Sequence, residues 1–410
     1  VFPGPSLIAR FTIDRIDGRA FNYGWMTHPP LCPDRAGTRR IAVVFGTRPE
    51  AIKMMPVLAA LRAWPALRVL SIALGQHGTL LNDALAEWGE VPDVSLPRAT
   101  AGEDLSTLTA RLLIDAAGAF AMLRPDLVLV QGDTASAFAA AVAAHHARIP
   151  VGHVEAGLRS GDLANPWPEE FHRVAIDALA ALRFAPTEAA AARLRAEYGE
   201  GAVSVSGNSG IDALLAADRR LDSDSALAAR VAAALPPLDP SRRLILVTMH
   251  RRENLGAPIR NVCAALARLA RRADVEIAWP LHPNPAVREV ARAELAGAGR
   301  VHLLPPLSYL QTVALMRRSA FLMTDSGGLQ EEAPALGRPV LVLRETTERP
   351  EVIAAGAGLL AGTAPDAVLG AASALLDHPA RLAAMSRPVF PYGDGRAAER
   401  IAAAVAGFGA

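Results

Sequence analysis

The chain has 410 residues, 51% of them hydrophobic and 20% charged, with 42 basic and 41 acidic residues for a net charge of +1. That balance excludes a disordered chain and supplies no basic field for nucleic acid or an anionic membrane surface. The length exceeds one ordinary core, so about two domains are expected. Cys32 and Cys263 build no disulfide framework, and a reducing compartment is the default. No apolar stretch reads as long and uncharged enough to span a bilayer.

Residues 1–38 read as an extension without an assigned role. Phe2, Phe11, Phe21, Tyr23 and Trp25 lie among prolines and charges, and Arg10, Asp14 and Arg15 interrupt any signal-peptide run. From Thr38 the pattern becomes regular. Ile41–Phe45 reads as a buried strand, followed by Gly46-Thr47-Arg48-Pro49-Glu50 and a helix. Thr47 and Glu50 have capping-box spacing, and Pro49 suits a first helical turn. A strand, glycine turn and helix start offer free N–H groups to an anion, with Arg48 and Lys53 adding charge.

Leu67–Leu74 is the next strand, ending in Gln76-His77-Gly78. Leu127–Val130 follows and ends in Gln131-Gly132-Asp133-Thr134, where Asp133 reads equally as a helix N-cap or a functional carboxylate. An alanine-rich helix carries His145-His146, with no metal-ligand spacing around it. The strand Ile149–Val154 then opens into the densest stretch of the chain. Residues 155–173 hold Glu155, Arg159, Asp162, Glu169, Glu170, His172 and Arg173 among glycines and prolines. Ionisable groups at a buried strand end are costly unless they are paired, solvated or lining a site. In parallel sheets, ligands sit beyond the carboxyl ends of the strands.

Leu182–Ala185 and Val203–Val205 continue this first series, and Gly207-Asn208-Ser209-Gly210 reads as its exit. Residues 214–242 read as a linker helix and turn. Asp222-Ser223-Asp224 there has the spelling of a metal–diphosphate pair, but not its strand-end setting. A second series runs through Leu244–Thr248, Val275–Trp279, Val301–Leu303, Phe321–Thr324 and Pro339–Leu343. Polar clusters follow its strands: His250-Arg251-Arg252-Glu253-Asn254, His282-Pro283-Asn284, Asp325-Ser326-Gly327-Gly328 and Arg344 to Arg349. Ser326-Gly327-Gly328 opens a helix containing Glu331-Glu332, a second anion-binding N-terminus. Strands alternating with helices predict doubly wound parallel sheets. Neither a dinucleotide fingerprint nor a Walker sequence appears.

From about residue 40 to 405 the chain resembles the non-hydrolysing UDP-N-acetylglucosamine 2-epimerases. The matching stretches are Phe45 to Lys53, Gln131 to Thr134, Gly152 to Arg159, Pro166 to Glu170, His250 to Asn254, Thr324 to Glu332, Thr346 to Glu351 and Pro391 to Gly395. The resemblance implies two Rossmann-like domains in the glycosyltransferase-B arrangement, with a UDP-sugar substrate in the interdomain cleft. The expected division is 39–207 and 208–385, with a C-terminal helix, 386–410, returning to the first domain. It further implies a cytoplasmic homodimer without metal or other cofactor.

The family interconverts UDP-GlcNAc and UDP-ManNAc by expelling UDP to 2-acetamidoglucal and adding it back. By resemblance, the proton-transfer and cation-stabilising candidates are Asp133, Glu155 and Glu169, with His250 alongside them in the catalytic set. UDP contacts would come from Arg48, Lys53, His250, Arg349 and the Ser326, Gly327, Gly328 turn, with Glu332 on the ribose. Arg173, Leu307 and Thr312 complete the expected binding set. Two departures stand out. Gln76-His77-Gly78-Thr79-Leu80-Leu81 replaces the usual Gln-His-Arg-Glu-Met-Leu where some members bind activating UDP-GlcNAc, so activation is expected to be altered or absent. Leu307 and Thr312 stand where common members carry Gln and Phe, which leaves base or sugar preference open. Rival readings are a hydrolysing epimerase, a glycosyltransferase on the same fold, and an inactive nucleotide-sugar binder.

Overall fold

The computed structural model describes residues 38–76, 78–96 and 102–409. The extension up to residue 37, with Cys32, and His77 lie outside the described residues.

The first series is β1 (Arg39–Phe45), α1 (Arg48–Arg62), β2 (Leu67–Ala73), α2 (Gly78–Trp88), β3 (Val94–Ser95) and α3 (Leu105–Leu123). It continues with β4 (Leu127–Gln131), α4 (Ala135–His146), β5 (Val151–Val154), α5 (Glu169–Leu179), β6 (Leu182–Ala185), α6 (Glu188–Tyr198) and β7 (Val203–Val205). These strands form one parallel sheet in the order β3-β2-β1-β4-β5-β6-β7. Ile41 to Phe45 are buried because a parallel sheet is covered by helices on both faces.

Two helices follow, α7 (Ser209–Ser223) and α8 (Ser225–Ala233), where the sequence suggests a linker helix and turn. Asp222 pairs with Arg317, and Asp224 caps α8 by accepting from Leu227 N at 2.9 Å, so both carboxylates have structural duties. The second series is β8 (Arg243–Thr248), α9 (Ala257–Leu269), β9 (Val275–Pro280), α10 (Pro285–Glu294), β10 (Val301–Leu304), α11 (Tyr309–Arg318) and β11 (Ser319–Thr324). It ends with α12 (Gly327–Ala335), β12 (Val340–Val342), α13 (Pro350–Ala354), β13 (Gly358–Leu360), α14 (Pro365–Asp377), α15 (Pro379–Met385) and α16 (Ala397–Gly407). Its parallel sheet has the order β10-β9-β8-β11-β12-β13.

The expected two-domain α/β architecture is thus present. The edge strands β3 and β13 were not expected from the sequence, whereas the equally short edge strand β7 was. In each sheet the order reverses beside the first strand of its series, between β1 and β4 and between β8 and β11. Such a reversal splays the connections apart and leaves a crevice at the carboxyl ends.

Helix α7 joins the halves, packing on α1 of the first and on α11 and α12 of the second. Ile52 of α1 shares a core with Ile211, Leu214, Leu310 and Val313. Asp212 of α7 accepts from the N–H groups of Ala397 and Ala398 at 3.2 and 2.9 Å and so caps α16. Helix α16 in turn buries Ile401, Ala402 and Val405 with Phe45, Met54 and Leu58.

One expectation needs correction. Helix α3, with 19 residues, is long and apolar enough to cross a membrane by length and composition. Arg111 and Asp115 interrupt it, and Leu112, Ala116, Phe120 and Leu123 pack in the core beside α4.

Gly46 ends β1 where the backbone passes close to α4. A Cβ there would lie 1.8 Å from Ser136 Oγ and 2.7 Å from the Leu74 carbonyl oxygen. Ser136 cannot swing away cheaply, because its N–H and hydroxyl both donate to Gln76 Oε1, at 3.0 and 2.6 Å. Gly46→Ala is therefore expected to destabilise the protein by about 1–3 kcal/mol, the range for forced overpacking. Urea denaturation would show a lower midpoint with an unchanged slope.

Candidate active site

Several motifs sit at the two topological reversals, and others follow β5 and β12. At the end of β1, the turn Gly46-Thr47 leads into Arg48, and Thr47 and Glu50 form the expected capping box. At the end of β4, the cap of α4 is Thr134, whose Oγ1 accepts from Ala137 N at 3.0 Å. Asp133 is thereby relieved of the capping duty that the sequence allowed it. Its carboxylate pairs with Arg173 of α5, while His172 Nδ1 lies 2.9 Å from the Asp133 carbonyl. Arg173 also meets Glu170 at 3.3 Å, and Glu170 accepts from the N–H groups of Ser160 and Gly161 at 2.9 and 3.1 Å. This ties the loop after β5 to the start of α5.

Glu155 follows β5 with φ 70°, a left-handed conformation that a side chain other than glycine adopts only under constraint. The constraint is visible in the preceding and following residues. The His153 ring spans Asp177 at 2.6 Å and the Gly132 carbonyl at 2.8 Å, and Asp177 also accepts from Gly157 N at 3.1 Å and Arg159 at 2.6 Å. Thus Asp177, inside α5, anchors the whole His153 to Arg159 stretch. The Glu155 carboxylate then pairs with Lys53 of α1 and accepts from Gln131 Nε2 at 2.8 Å. Burial opposes its ionisation, but Lys53, Arg349 and Arg173 outweigh burial and hold its pKa below the usual value. Burial likewise disfavours the Lys53 ammonium, yet Glu155 and Glu331 raise its pKa. Both members stay charged.

The second domain supplies the opposite wall. Asp325, wholly buried at the end of β11, accepts from His250 N at 3.0 Å, Arg251 N at 3.0 Å and Asn254 Nδ2 at 2.9 Å. This fixes the turn after β8, with His250 Nδ1 3.4 Å from Asp325 Oδ1. The His250 ring stacks on His282 with centroids 5.6 Å apart. Burial lowers the His250 pKa, Asp325 opposing, so the ring is neutral at pH 7. Ser326 stands at the N-cap of α12 without a side-chain cap bond, which leaves the Gly327 and Gly328 turn open. A Cβ on Gly327 would lie 3.5 and 3.6 Å from the guanidinium nitrogens of Arg251 and Arg349. Arg349 is held by Glu331, which also accepts from Asn208, the cap of α7. Glu332 accepts from the Tyr309 hydroxyl at 3.2 Å, and burial pushes its pKa up to about 7.

Contacts cross the cleft directly. Arg48 of the first domain donates to the Leu307 carbonyl of the second at 3.0 Å, and its charge acts on His282. Lys53 and Glu155 feel Glu331 and Arg349 from across the gap. The structure thus gathers Asp133, Glu155, Lys53, Arg173, Arg349 and Glu332 into one electrostatic cluster. His250 and Arg48 join through His282. Glu169, partly exposed at the start of α5, is near His172, and its side chain makes no hydrogen bond or ion pair among the described residues. Leu307 offers its carbonyl while its side chain is buried in the core. The Thr312 hydroxyl turns into its own helix, donating to the Ser308 carbonyl at 2.9 Å.

Sequence reasoning missed Asp325, Glu331, His282 and Asp177 as organisers of the site. The first three lie within motifs noted above, but an anchoring role depends on which backbone N–H or cation faces the carboxylate. No sequence spacing reports that.

This geometry, two facing nucleotide-type α/β domains with a charged cleft, defines a protein of the glycosyltransferase-B architecture. The family model described as UDP-N-acetylglucosamine 2-epimerase matches residues 59–406. A probable UDP-N-acetylglucosamine 2-epimerase of Ralstonia nicotianae is 46% identical over 90% of this chain and 98% of its own length. The UDP-N-acetylglucosamine 2-epimerase of Escherichia coli K12 is 43% identical, over 88% and 97%. The structure of the Neisseria meningitidis UDP-GlcNAc 2-epimerase bound to UDP-GlcNAc superposes with a TM-score of 0.85 at 38% identity, covering 90% of this chain and 99% of that one. The chain belongs to the UDP-N-acetylglucosamine 2-epimerase family.

The Lys53–Glu155 pair makes a stability prediction. Removing one member of a largely buried pair leaves the other poorly compensated, so Glu155→Gln is expected to cost on the order of 3 kcal/mol. Because the folded Glu155 pKa lies below 4.5, its stabilisation is present above pH 4.5 and lost as pH falls through the folded value. Urea midpoints at neutral pH should therefore separate wild type from variant, and the gap should close on acidification.

Proposed function

We propose that this chain is a non-hydrolysing epimerase that interconverts UDP-GlcNAc and UDP-ManNAc. The observation that carries the reading is the cleft's pairing of carboxylates with partly buried cations, Glu155 with Lys53 and Asp133 with Arg173. The C2 hydrogen of the sugar is not next to a carbonyl, so direct deprotonation is unfavourable. Breaking the C1–O bond first sends the electron pair to the diphosphate and leaves an oxocarbenium-like centre that acidifies C2–H. A carboxylate takes that proton, the C1=C2 bond forms, and 2-acetamidoglucal remains bound. UDP then adds back to C1 while a proton reaches C2 on the opposite face.

Each step has a candidate group. Arg48, Lys53 and Arg349, with the N–H groups at Gly327 and Gly328, meet the charge that develops on the diphosphate. His250, neutral at pH 7, offers a hydrogen bond there rather than a full charge. Glu155 and Asp133 serve the proton transfers, since one group returning its own proton would regenerate the starting sugar. Glu169 supports the ring cation. Glu332, beside Tyr309, meets the ribose.

The test is a proton NMR time course with UDP-GlcNAc in deuterated water. Retained UDP-sugar with deuterium at C2, and UDP-ManNAc accumulating, is the expected result. Free ManNAc with UDP would make the protein a hydrolase, and an unchanged substrate would leave a transferase or a binder.

The enzyme acts as a cytoplasmic homodimer on this reading. What supports the dimer is a stripe of exposed small and apolar residues on α3, namely Ala110, Ile114, Ala117, Gly118 and Ala121. Two helices away, past α4, α5 carries the half-exposed Phe171, whose ring lies 5.6 Å from Phe138. Exposed apolar residues on neighbouring helices suit an association surface. Light scattering should give twice the chain mass, and Ile114→Glu should shift it toward one chain.

A further inference from the structure

Glu50 has no part in the chemistry above, yet it is wholly buried and faces no cation among the described residues. A capping box requires only the bond from its carboxylate to Thr47 N, which is 2.7 Å long. Two further bonds go beyond capping. Gly46 N donates to Glu50 Oε2 at 3.1 Å, and the Thr134 hydroxyl donates to Oε1 at 2.8 Å. Thr134 lies in the turn after β4, immediately beyond Asp133. Gly46 and Thr47 lie in the turn after β1, immediately before Arg48. One carboxyl group therefore spans the reversal of the first sheet, with the leaving-group cation on one side and the proton-transfer carboxylate on the other.

We propose that Glu50 is a positioning residue that holds the Arg48 turn and the Asp133 turn at a fixed separation. The proposal rests on the epimerase reading, because only there must both groups act on one sugar at once. A carboxylate suits the task, since each of its two oxygens can accept and the backbone N–H groups and the hydroxyl approach from different elements. Burial pushes the Glu50 pKa up to about 7, with the bonds from Thr47, Thr134 and Gly46 opposing. Near neutral pH the group therefore places only part of a negative charge beneath the turn that meets the diphosphate.

Four proteins separate positioning from capping: wild type, Thr134→Val, Thr134→Ser and Glu50→Gln. Thr134→Val severs the link while keeping the Thr47–Glu50 box, whereas Thr134→Ser retains the hydroxyl. The cap that Thr134 gives α4 is also lost in the valine variant, so urea midpoints are measured alongside kinetics. Misplacing a reacting group by part of an ångström costs rate more than binding, so kcat should fall about tenfold in Thr134→Val and Glu50→Gln. KM for UDP-GlcNAc should stay within about threefold, and Thr134→Ser should restore kcat. Lower midpoints with wild-type kcat would reduce Glu50 to a helix cap and overturn the proposal. A raised KM at unchanged kcat would overturn it too, by assigning the link to substrate binding. Wild-type protein that leaves UDP-GlcNAc untouched is a different outcome, one that sinks the epimerase reading and this proposal together.

Discussion

The ion pair between Lys53 and Glu155 is the interaction around which the cleft is organised. Two charges in a desolvated strand-end setting are tolerable only when each has partners enough to repay the water it lost. Lys53 finds Glu155 on its own domain and the field of Glu331 from the other. Glu155 finds Lys53, Gln131 and, more distantly, Arg349 and Arg173. Neither set of partners lies within one domain. The pair thus favours the two halves facing each other with their carboxyl strand ends inward, which is also where a charged ligand would replace part of that compensation.

A second regularity lies beneath the cleft. At each reversal, a buried carboxylate accepts the backbone N–H groups of a turn that carries candidate site residues. Glu50 does so for Gly46 and Thr47 before Arg48, and Asp325 does so for His250 and Arg251. Asp177 does the same at the β5 end through Gly157 N and through His153. Turns rich in glycine are pliable, so the groups they carry reach useful geometry only when something below the backbone is rigid. Carboxylates on helices and central strands meet that need, and their bonds to N–H groups strengthen where water is excluded.

Much of the fold was legible because parallel strands buried on both faces read as short apolar runs between helical stretches. The edge strands β3 and β13 were not, lying where no apolar run of strand length stands out. Helix α7 looked like a linker, since its charges are visible in sequence while the apolar face it presents to α1, α11 and α12 is not. Helix α3 was not read as a membrane-length segment, though by length and composition it is one. Its apolar content is spread around the helix, one side packed on α4 and the other exposed, and composition does not distinguish the two.

Of the site, the sequence by itself determined which residue types stand at which strand ends: the cations at Arg48, Lys53 and Arg349, the carboxylates at Asp133, Glu155 and Glu169, and the glycine turn at 327–328. Those follow from local order along the chain, which strand ends and capping patterns report. Only the tertiary structure decided that Thr134 rather than Asp133 caps α4, that Asp133 pairs with Arg173, and that Glu50, Asp177 and Asp325 hold the turns in place. Such pairings join residues up to 84 positions apart. They are set by how strands order within a sheet and how the two sheets face, a three-dimensional outcome that no spacing along the chain encodes.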